Sequence, residues 1–553
     1  MYPAVTLGLF KEPNPPLEVL GESAHQTLLR KRLPQDVNFF TFTLEQAGYL
    51  FGGEFAVGGI VLGIALKRLG FVSRQEGFAQ TIAHAFSLAG FAMAIALALA
   101  YVFFPGFIDS YEASVATLGA VFRSGGQIYP EITDPTMGGL QYGPALAEIQ
   151  ALVQSLPLPI ISASKIPGVA SFVAFAWLMF HLLRSRLARA YLVFLLPFGA
   201  FLFWNRAEPI LLLCVALSLL VLERQPAVTA VFLVGLLAGL ASCLKAHAGL
   251  YVAATLIATG MLAKMTWRMT LSFVFGASFV AFMAYLPRQI SLDRFIQYLV
   301  LAAHHGLSGT MLTENLAYVA VLLFPIFYVG IGASRLGRQV IREIVFLATL
   351  EFVVALIGAK PGAGAYHFIP FIPANAFLLQ RLVRGADAPP SRSYVPIVFS
   401  LLALLVLPIP LTQWNLARSM MNDFAENHAA QTEMEALAKR FPTLVLGVTD
   451  QPRYAMVYFR PMLESRTARQ IDYASYMDHE FSGLSDDVLV KALEACTFNP
   501  IAMPKRGEPF TLQSFYTQRP LFSDALRSAF QRQYGLVESG GYYSIFECVD
   551  KKH

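Results

Sequence analysis

The chain has 553 residues, of which 56% are hydrophobic and 14% charged, with a net charge of +5 and a mean hydropathy of +0.54. Soluble domains carry about 25% charged residues, so the composition excludes a protein that is soluble throughout and points to a polytopic membrane protein with a soluble part attached. The positive balance gives no ground for nucleic-acid binding, because membrane proteins gather Lys and Arg in cytoplasmic loops.

Residues 1–43 form a polar N-terminal tail, and its charged, proline-bearing KEPNPP is not expected to act as a secretory signal. A span needs about 20 apolar residues. Twelve stretches come close, at 44–66, 79–104, 165–183, 189–204, 208–223, 226–244, 247–264, 269–287, 315–333, 342–358, 366–383 and 394–411. This predicts about 11–12 transmembrane helices in a domain covering 44–411. The first stretch is glycine-rich, contains Glu45 and Glu54 and follows Arg30, Lys31 and Arg32, so it reads equally as a span or as a re-entrant segment. Alternate loops hold fifteen Lys and Arg, among them Lys67, Arg68, Arg74, Arg335, Arg338 and Arg342. The intervening loops hold seven: Arg123, Lys165, Arg206, Lys245, Arg288, Arg294 and Lys360. The positive-inside rule makes the first set cytoplasmic. The 105–164 loop, the Arg288 and Lys360 loops and the C-terminal tail then face outward.

The first outward loop contains IDSYEASVATLGAVFRSGGQIYPEITDPTMGGLQYGP (108–144), which gathers Asp109, Glu112, Arg123, Glu131 and Asp134 beside the bilayer. Helical spacing over 109–123 puts Tyr111, Val115, Leu118 and Phe122 on one stripe. The other face holds Asp109, Glu112, Ala116, Gly119, Ala120 and Arg123. Such a helix lies flat in a membrane interface. The small residues beside the acids are expected to leave room for a ligand, but acids at a helix start are also favoured simply by the helix dipole.

Other polar groups fall on the same side. NRAEP (205–209) supplies Arg206 and Glu208, LKAHAG (244–249) supplies Lys245 and His247, and KPGAGAYHF (360–368) supplies Lys360, Tyr366 and His367. His304 and His305 lie in a loop between, and Glu351, inside a span, is available to pair with one of the cations. Ionisable groups at membrane depth are costly and functional by default. Each one singly is explained by snorkelling; as a set on one side they fit a shared anionic ligand, because Lys and Arg both hold phosphate.

From 412 to 553 the chain changes character, with 15 Lys/Arg and 17 Asp/Glu. Strands are expected at 443–448, 499–504 and 542–549, and helices at 486–496 and 523–534. This is the pattern of a small soluble α/β domain. Cys214 and Cys243 lie in apolar segments, whereas Cys496 and Cys548 lie in this tail. In an oxidising compartment the tail pair is expected either to form a disulfide or to remain as two buried thiols.

An outward Asp and Tyr, a helix, a GG-x-x-Y segment around Tyr129 and a Y-G-P at Tyr142 together resemble the first periplasmic loop of the GT-C glycosyltransferases. NRAEPILLL is similar to that family's Arg-x-Asp-x-Leu stretch, with Glu208 at the acidic position. LKAHAGLY resembles its Lys-bearing turn and KPGAGAYHFIPFIP its late Tyr-then-Pro turn. The resemblance implies a bacterial inner-membrane enzyme of envelope biogenesis. It implies a polyprenyl-phosphate sugar donor, a glycan, lipid or protein acceptor, and inverting transfer. It also implies Asp109 as general base with Glu112 in reserve, and donor contacts from Arg206, Glu208, Lys245, His247, Lys360, Tyr366, His367, Tyr129 and Tyr142. The aminoarabinose transferases carry Lys-Pro-Pro-Leu where this chain has YGPAL. No cofactor is implied; carboxylates can bind a divalent metal, but no spacing here demands one. The competing classes are a transporter or flippase, and a polymerase or ligase, for lipid-linked glycans.

Overall fold

The computed structural model describes residues 76–132, 142–304, 306–332, 338–360, 363–384, 408–450, 485–514 and 519–549, with the isolated positions 61, 64, 471 and 476. Asp134, His305, nearly all of 44–66 and most of 394–411 lie outside the described residues. Five described helices are long and apolar enough to cross a membrane: Thr81–Phe103 within α1 (Glu76–Phe103), α4 (Ile160–Leu182), α7 (Ala227–Leu244), α9 (Trp267–Ala284) and Gly309–Gly330 within α11 (Gly309–Gly332). The chain is therefore a largely helical membrane protein. The expected spans at 208–223 and 342–358 are also helices, α6 (Ala207–Arg224) and α12 (Arg338–Ile357), but each carries several charged residues.

Three expected spans depart from a regular helix. The 189–204 stretch is a short α5 (Arg186–Tyr191) followed by a 3₁₀ segment, Leu192–Leu202, interrupted at Gly199 with φ 54° and ψ −120°. Pro197 removes a backbone donor and Gly199 takes a conformation that side chains resist. Irregular backbone is tolerated at membrane depth only inside protein, and every residue from Leu192 to Leu202 is buried. The 247–264 stretch shortens to α8 (Gly249–Ala258). The 366–383 stretch divides into a 3₁₀ turn, Ala365–Phe368, and α13 (Phe371–Arg384).

The 105–164 loop folds as expected into α2 (Ser110–Arg123), and then adds α3 (Pro144–Val153), with α10 (Leu292–Ala303) in the Arg288 loop. The face of α2 expected to be open is closed. A Cβ at Gly119 would stand 2.4 Å from Gln150 Cβ on α3, and Ala113 and Ala116 are fully buried in one cluster with the C-terminal tail. Small residues there allow helices to approach, not a ligand.

The tail begins on α14 (Pro408–Arg440), a continuous helix that passes through position 412, where the composition changes. Gln413 Nε2 donates to Gly90 O at 3.2 Å in the membrane bundle, while Ala430, Met434 and Leu437 enter the tail's core. Beyond it come β1 (Val445–Leu446), α15 (Asp487–Glu494), β2 (Ile501–Pro504), α16 (Asp524–Gln533), β3 (Tyr534–Ser539) and β4 (Tyr543–Cys548). The sheet order is β1-β2-β4-β3, with β1 parallel to β2 and the other pairs antiparallel. Strand β3 was not expected from the sequence; its YGLVES is half polar and sits at a sheet edge. Cys496 and Cys548 are joined as a disulfide, with Cα atoms 5.9 Å apart.

Candidate active site

The site is built where α1 ends, α2 begins and three turns of the bundle meet. Asp109 is the N-cap of α2: its Oδ1 accepts from Tyr111 N at 3.2 Å, and Glu112 completes a capping box by accepting from Asp109 N at 3.0 Å. A capping box normally marks a solvated helix start. This one is enclosed, and its acids have further partners.

Asp109 Oδ2 accepts from Arg206 Nη1 at 3.2 Å. Arg206 Nε donates to the Tyr142 hydroxyl at 2.7 Å and lies 3.8 Å from Glu208 Oε2. Glu208 Oε1 meets Lys245 Nζ at 2.5 Å. Asp109, Arg206, Glu208 and Lys245 thus form one connected chain of alternating charge, with Arg206 9%, Glu208 1% and Lys245 8% exposed. Two tyrosines wall both cations. The Tyr366 ring lies 5.4 Å from the Arg206 guanidinium and 5.0 Å from Lys245 Nζ, and the Tyr142 ring 5.8 and 5.6 Å. Trp204 stacks at 4.3 Å on Arg206. Burial holds the Tyr142 phenol well above its ordinary range, so it stays protonated.

His247 and His367 flank this chain. His247 Nε2 lies 3.0 Å from the Tyr251 hydroxyl and 3.3 Å from His367 Nδ1. The His367 ring stacks on Tyr366 at 4.5 Å. Lys360 brings a third positive charge close enough to act on Lys245, His247 and His367.

The YGP of the first loop now has a local reason. Tyr142 supplies the hydroxyl that Arg206 uses. Gly143 N donates to Leu244 O at 3.0 Å, and a Cβ there would stand 2.1 Å from Cys243 O, so only glycine brings the loop against the Lys245 turn. Pro144 opens α3 at a position where no backbone donor is needed. Tyr129 lies one layer back, donating its hydroxyl to Tyr142 O at 2.6 Å.

Glu112 is fully buried. Its Oε1 accepts from Ile108 N and Asp109 N at 2.9 and 3.0 Å; its Oε2 accepts from Asn205 N at 2.9 Å and from the Tyr101 hydroxyl. Burial, the largest influence, raises its pKa above the ordinary carboxyl range, against the lowering effect of these donors. Both of its oxygens are thus already engaged by donors of the protein.

Other expected residues lie elsewhere. Glu131 pairs with Arg294 at 2.8 Å on the loop surface, and Arg123 donates to Gln154 O. His304 ends α10 in an exposed position. Glu351 meets no cation among the described residues; its Oε1 accepts from Asn375 Nδ2 at 2.8 Å within the bundle. Residues given no role at the site by the sequence, Lys165 among them as only a loop cation, prove central. Tyr101 and Asn205 both grip Glu112, and Lys165 is fully buried, donating to Tyr101 O and Phe104 O at 3.0 and 2.5 Å. Asn205 is adjacent to Arg206 in NRAEP, a signal that could have marked it. Tyr101 lies inside an apolar run and carried none.

No group of three or more His, Cys, Asp or Glu side chains among the described residues is placed to hold a metal ion. No protein-family model matches the chain, and no curated protein matches its sequence. Among solved structures it is similar to ArnT from Cupriavidus metallidurans, solved bound to undecaprenyl phosphate. The TM-score is 0.50 at 11% identity, over 84% of this chain and 98% of that one. With the loop motifs and the helical bundle already described, this likeness identifies the architecture: the chain has the GT-C fold.

Proposed function

We propose that this protein is a membrane glycosyltransferase of the bacterial inner membrane. It transfers a sugar, with inversion, from a polyprenyl-phosphate donor to a glycan, lipid or protein acceptor on the periplasmic side. The observation that carries this reading is the convergence of Asp109, Arg206, Glu208 and Lys245, the two cations lying between Tyr142 and Tyr366, with Lys360 near enough to act on Lys245. Three cations against two carboxylates leave an excess of positive charge in a buried corner, which favours an anionic ligand such as a phosphate. The fold shared with a protein that binds undecaprenyl phosphate is consistent with a lipid-linked one.

The residues divide the reaction between them. Asp109 takes the proton of the acceptor hydroxyl as its oxygen bonds to the anomeric carbon. The bond from that carbon to the phosphate oxygen breaks, and its electron pair stays on the polyprenyl phosphate. Arg206, Lys245 and Lys360 face that growing negative charge. Glu208 holds Lys245 and Arg206 in place, and Tyr142 fixes the Arg206 fork through Nε. The tail disulfide suits an oxidising compartment, in accord with an outward-facing tail.

The test uses purified protein in detergent, where no membrane barrier remains. Labelled polyprenyl-phosphate sugar should lose its sugar to an acceptor fraction with inverted anomeric configuration, releasing polyprenyl phosphate. A transporter would leave the donor intact. Intact donor across pentose, hexose and amino-sugar forms, with protein shown to be folded, would overturn the proposal.

A further inference from the structure

The capping-box carboxylate does more than cap a helix. Glu112 accepts from three places at once: the end of α1 (Tyr101 hydroxyl), the start of α2 (Ile108 N and Asp109 N) and the turn before α6 (Asn205 N). Its own backbone carbonyl accepts from Asn205 Nδ2 at 3.0 Å, and Asn205 Oδ1 accepts from Gln150 Nε2 at 2.7 Å on α3. Both neighbours held this way are functional ones. Asp109 is gripped by its amide, and Asn205 immediately precedes Arg206. The 3.2 Å contact between Asp109 Oδ2 and Arg206 Nη1 is therefore framed by one carboxylate that binds the backbone on both sides of it. Lys165 completes the frame: its Nζ sits 4.3 Å over the Tyr101 ring and ties the carbonyls of Tyr101 and Phe104.

We propose that Glu112 is a positioning residue that sets Asp109 against Arg206 and touches no substrate. This rests on the site reading above, in which Asp109 is the base. A carboxylate is needed because both oxygens accept: an amide would turn N–H groups toward two of the four donors, and Asp109 and Arg206 would shift apart. Displacements near 1 Å at a reacting group cost about 10²-fold in rate.

The experiment is a double-mutant cycle on purified full-length protein, reading kcat and donor KM. Glu112→Gln should lower kcat roughly 100-fold while KM moves little, because Lys245 and Lys360 still hold the donor. Since Glu112 acts through Asp109, the Asp109→Asn/Glu112→Gln double variant should be no slower than Asp109→Asn alone. Multiplied effects in the double variant, or a wild-type rate in Glu112→Gln, would overturn the inference. If Glu112→Gln does not fold, Tyr101→Phe carries the same cycle. It removes one donor and should cost roughly fivefold in kcat, the equivalent of one hydrogen bond. That loss should vanish in the Asp109→Asn background; its persistence there would overturn the inference. A wild-type rate in Asp109→Asn itself would bring down the site reading as well, so the two failures are told apart.

Discussion

The α7–α9 helix pair and the corner around Asp109 and Arg206 both bring backbone and side chains to close quarters, but by opposite chemistry. Along the pair, GLLAG (235–239) places glycines on one face of α7: a Cβ at Gly235 would stand 2.3 Å from Phe273 O, and one at Gly239 2.5 Å from Ala277 O. In lipid there is little hydrophobic drive between helices, so small residues that let backbones touch do the work. The outer side of α9 is left to the bilayer, with Trp267, Phe275, Phe279 and Phe282 exposed. The corner is held instead by charge, in which Asp109, Arg206, Glu208 and Lys245 each lie beside a group of opposite sign. Unpaired, such groups would cost several kcal/mol each. The pair needs only shape; the corner needs each partner in place, and a site so held can offer a preorganised charge to a ligand.

That contrast can be broken from either end. The largest stability effect should come from the apolar side. Gly235→Leu drives a side chain into the Phe273 backbone, which cannot move aside, so the cost should exceed about 3 kcal/mol. The checks are the yield of monodisperse protein and its thermal melt; a melt within a degree of wild type would deny the backbone contact. Next comes the corner. Lys245→Ala removes a partner of Glu208, and losing one member of a buried pair costs roughly 3–5 kcal/mol. The figure should fall short of that here, because Arg206 Nε remains 3.8 Å from Glu208. This variant should also raise the donor KM. The double variant Lys245→Ala/Glu208→Ala should recover part of the melt and none of the KM, whereas recovery of both would make Lys245 merely structural. Smaller still, Cys496→Ser should cost about 2–4 kcal/mol. That loss should be confined to the tail, so it should shift the tail's unfolding and leave transfer by the folded protein near the wild-type rate. Equal loss in both would mean that the tail supports the site.

Much of the bundle was legible because apolar run length is a strong signal: α1, α4, α6, α7, α9, α11 and α12 fall on expected spans. Leu192–Leu202 departs from the regular helix expected of the 189–204 stretch because hydropathy reports burial and not backbone regularity; the Pro197 and Gly199 inside it are the sign of an irregular, enclosed segment. In the site, residue types and sidedness were readable, so Asp109, Arg206, Glu208, Lys245, Tyr142, Tyr366, His247 and His367 do come together. Direction was not. Spacing put Asp109 and Glu112 on one helical face, yet Asp109 is a cap facing Arg206 while Glu112 points back to Tyr101 and Asn205. That difference arises from contacts 93 residues apart in sequence for Glu112 and Asn205, which no local pattern encodes.

The central claim is that Asp109 is the base of a sugar transfer, and the most direct measurement is the turnover of purified Asp109→Asn beside wild type with a polyprenyl-phosphate sugar in detergent. Asparagine keeps the size and the oxygen that caps Tyr111 N but cannot take a proton. Turnover of the folded variant should fall roughly 10²–10⁴-fold, with a lowered melt because Arg206 loses a charged partner. Wild-type turnover by folded Asp109→Asn would contradict the account.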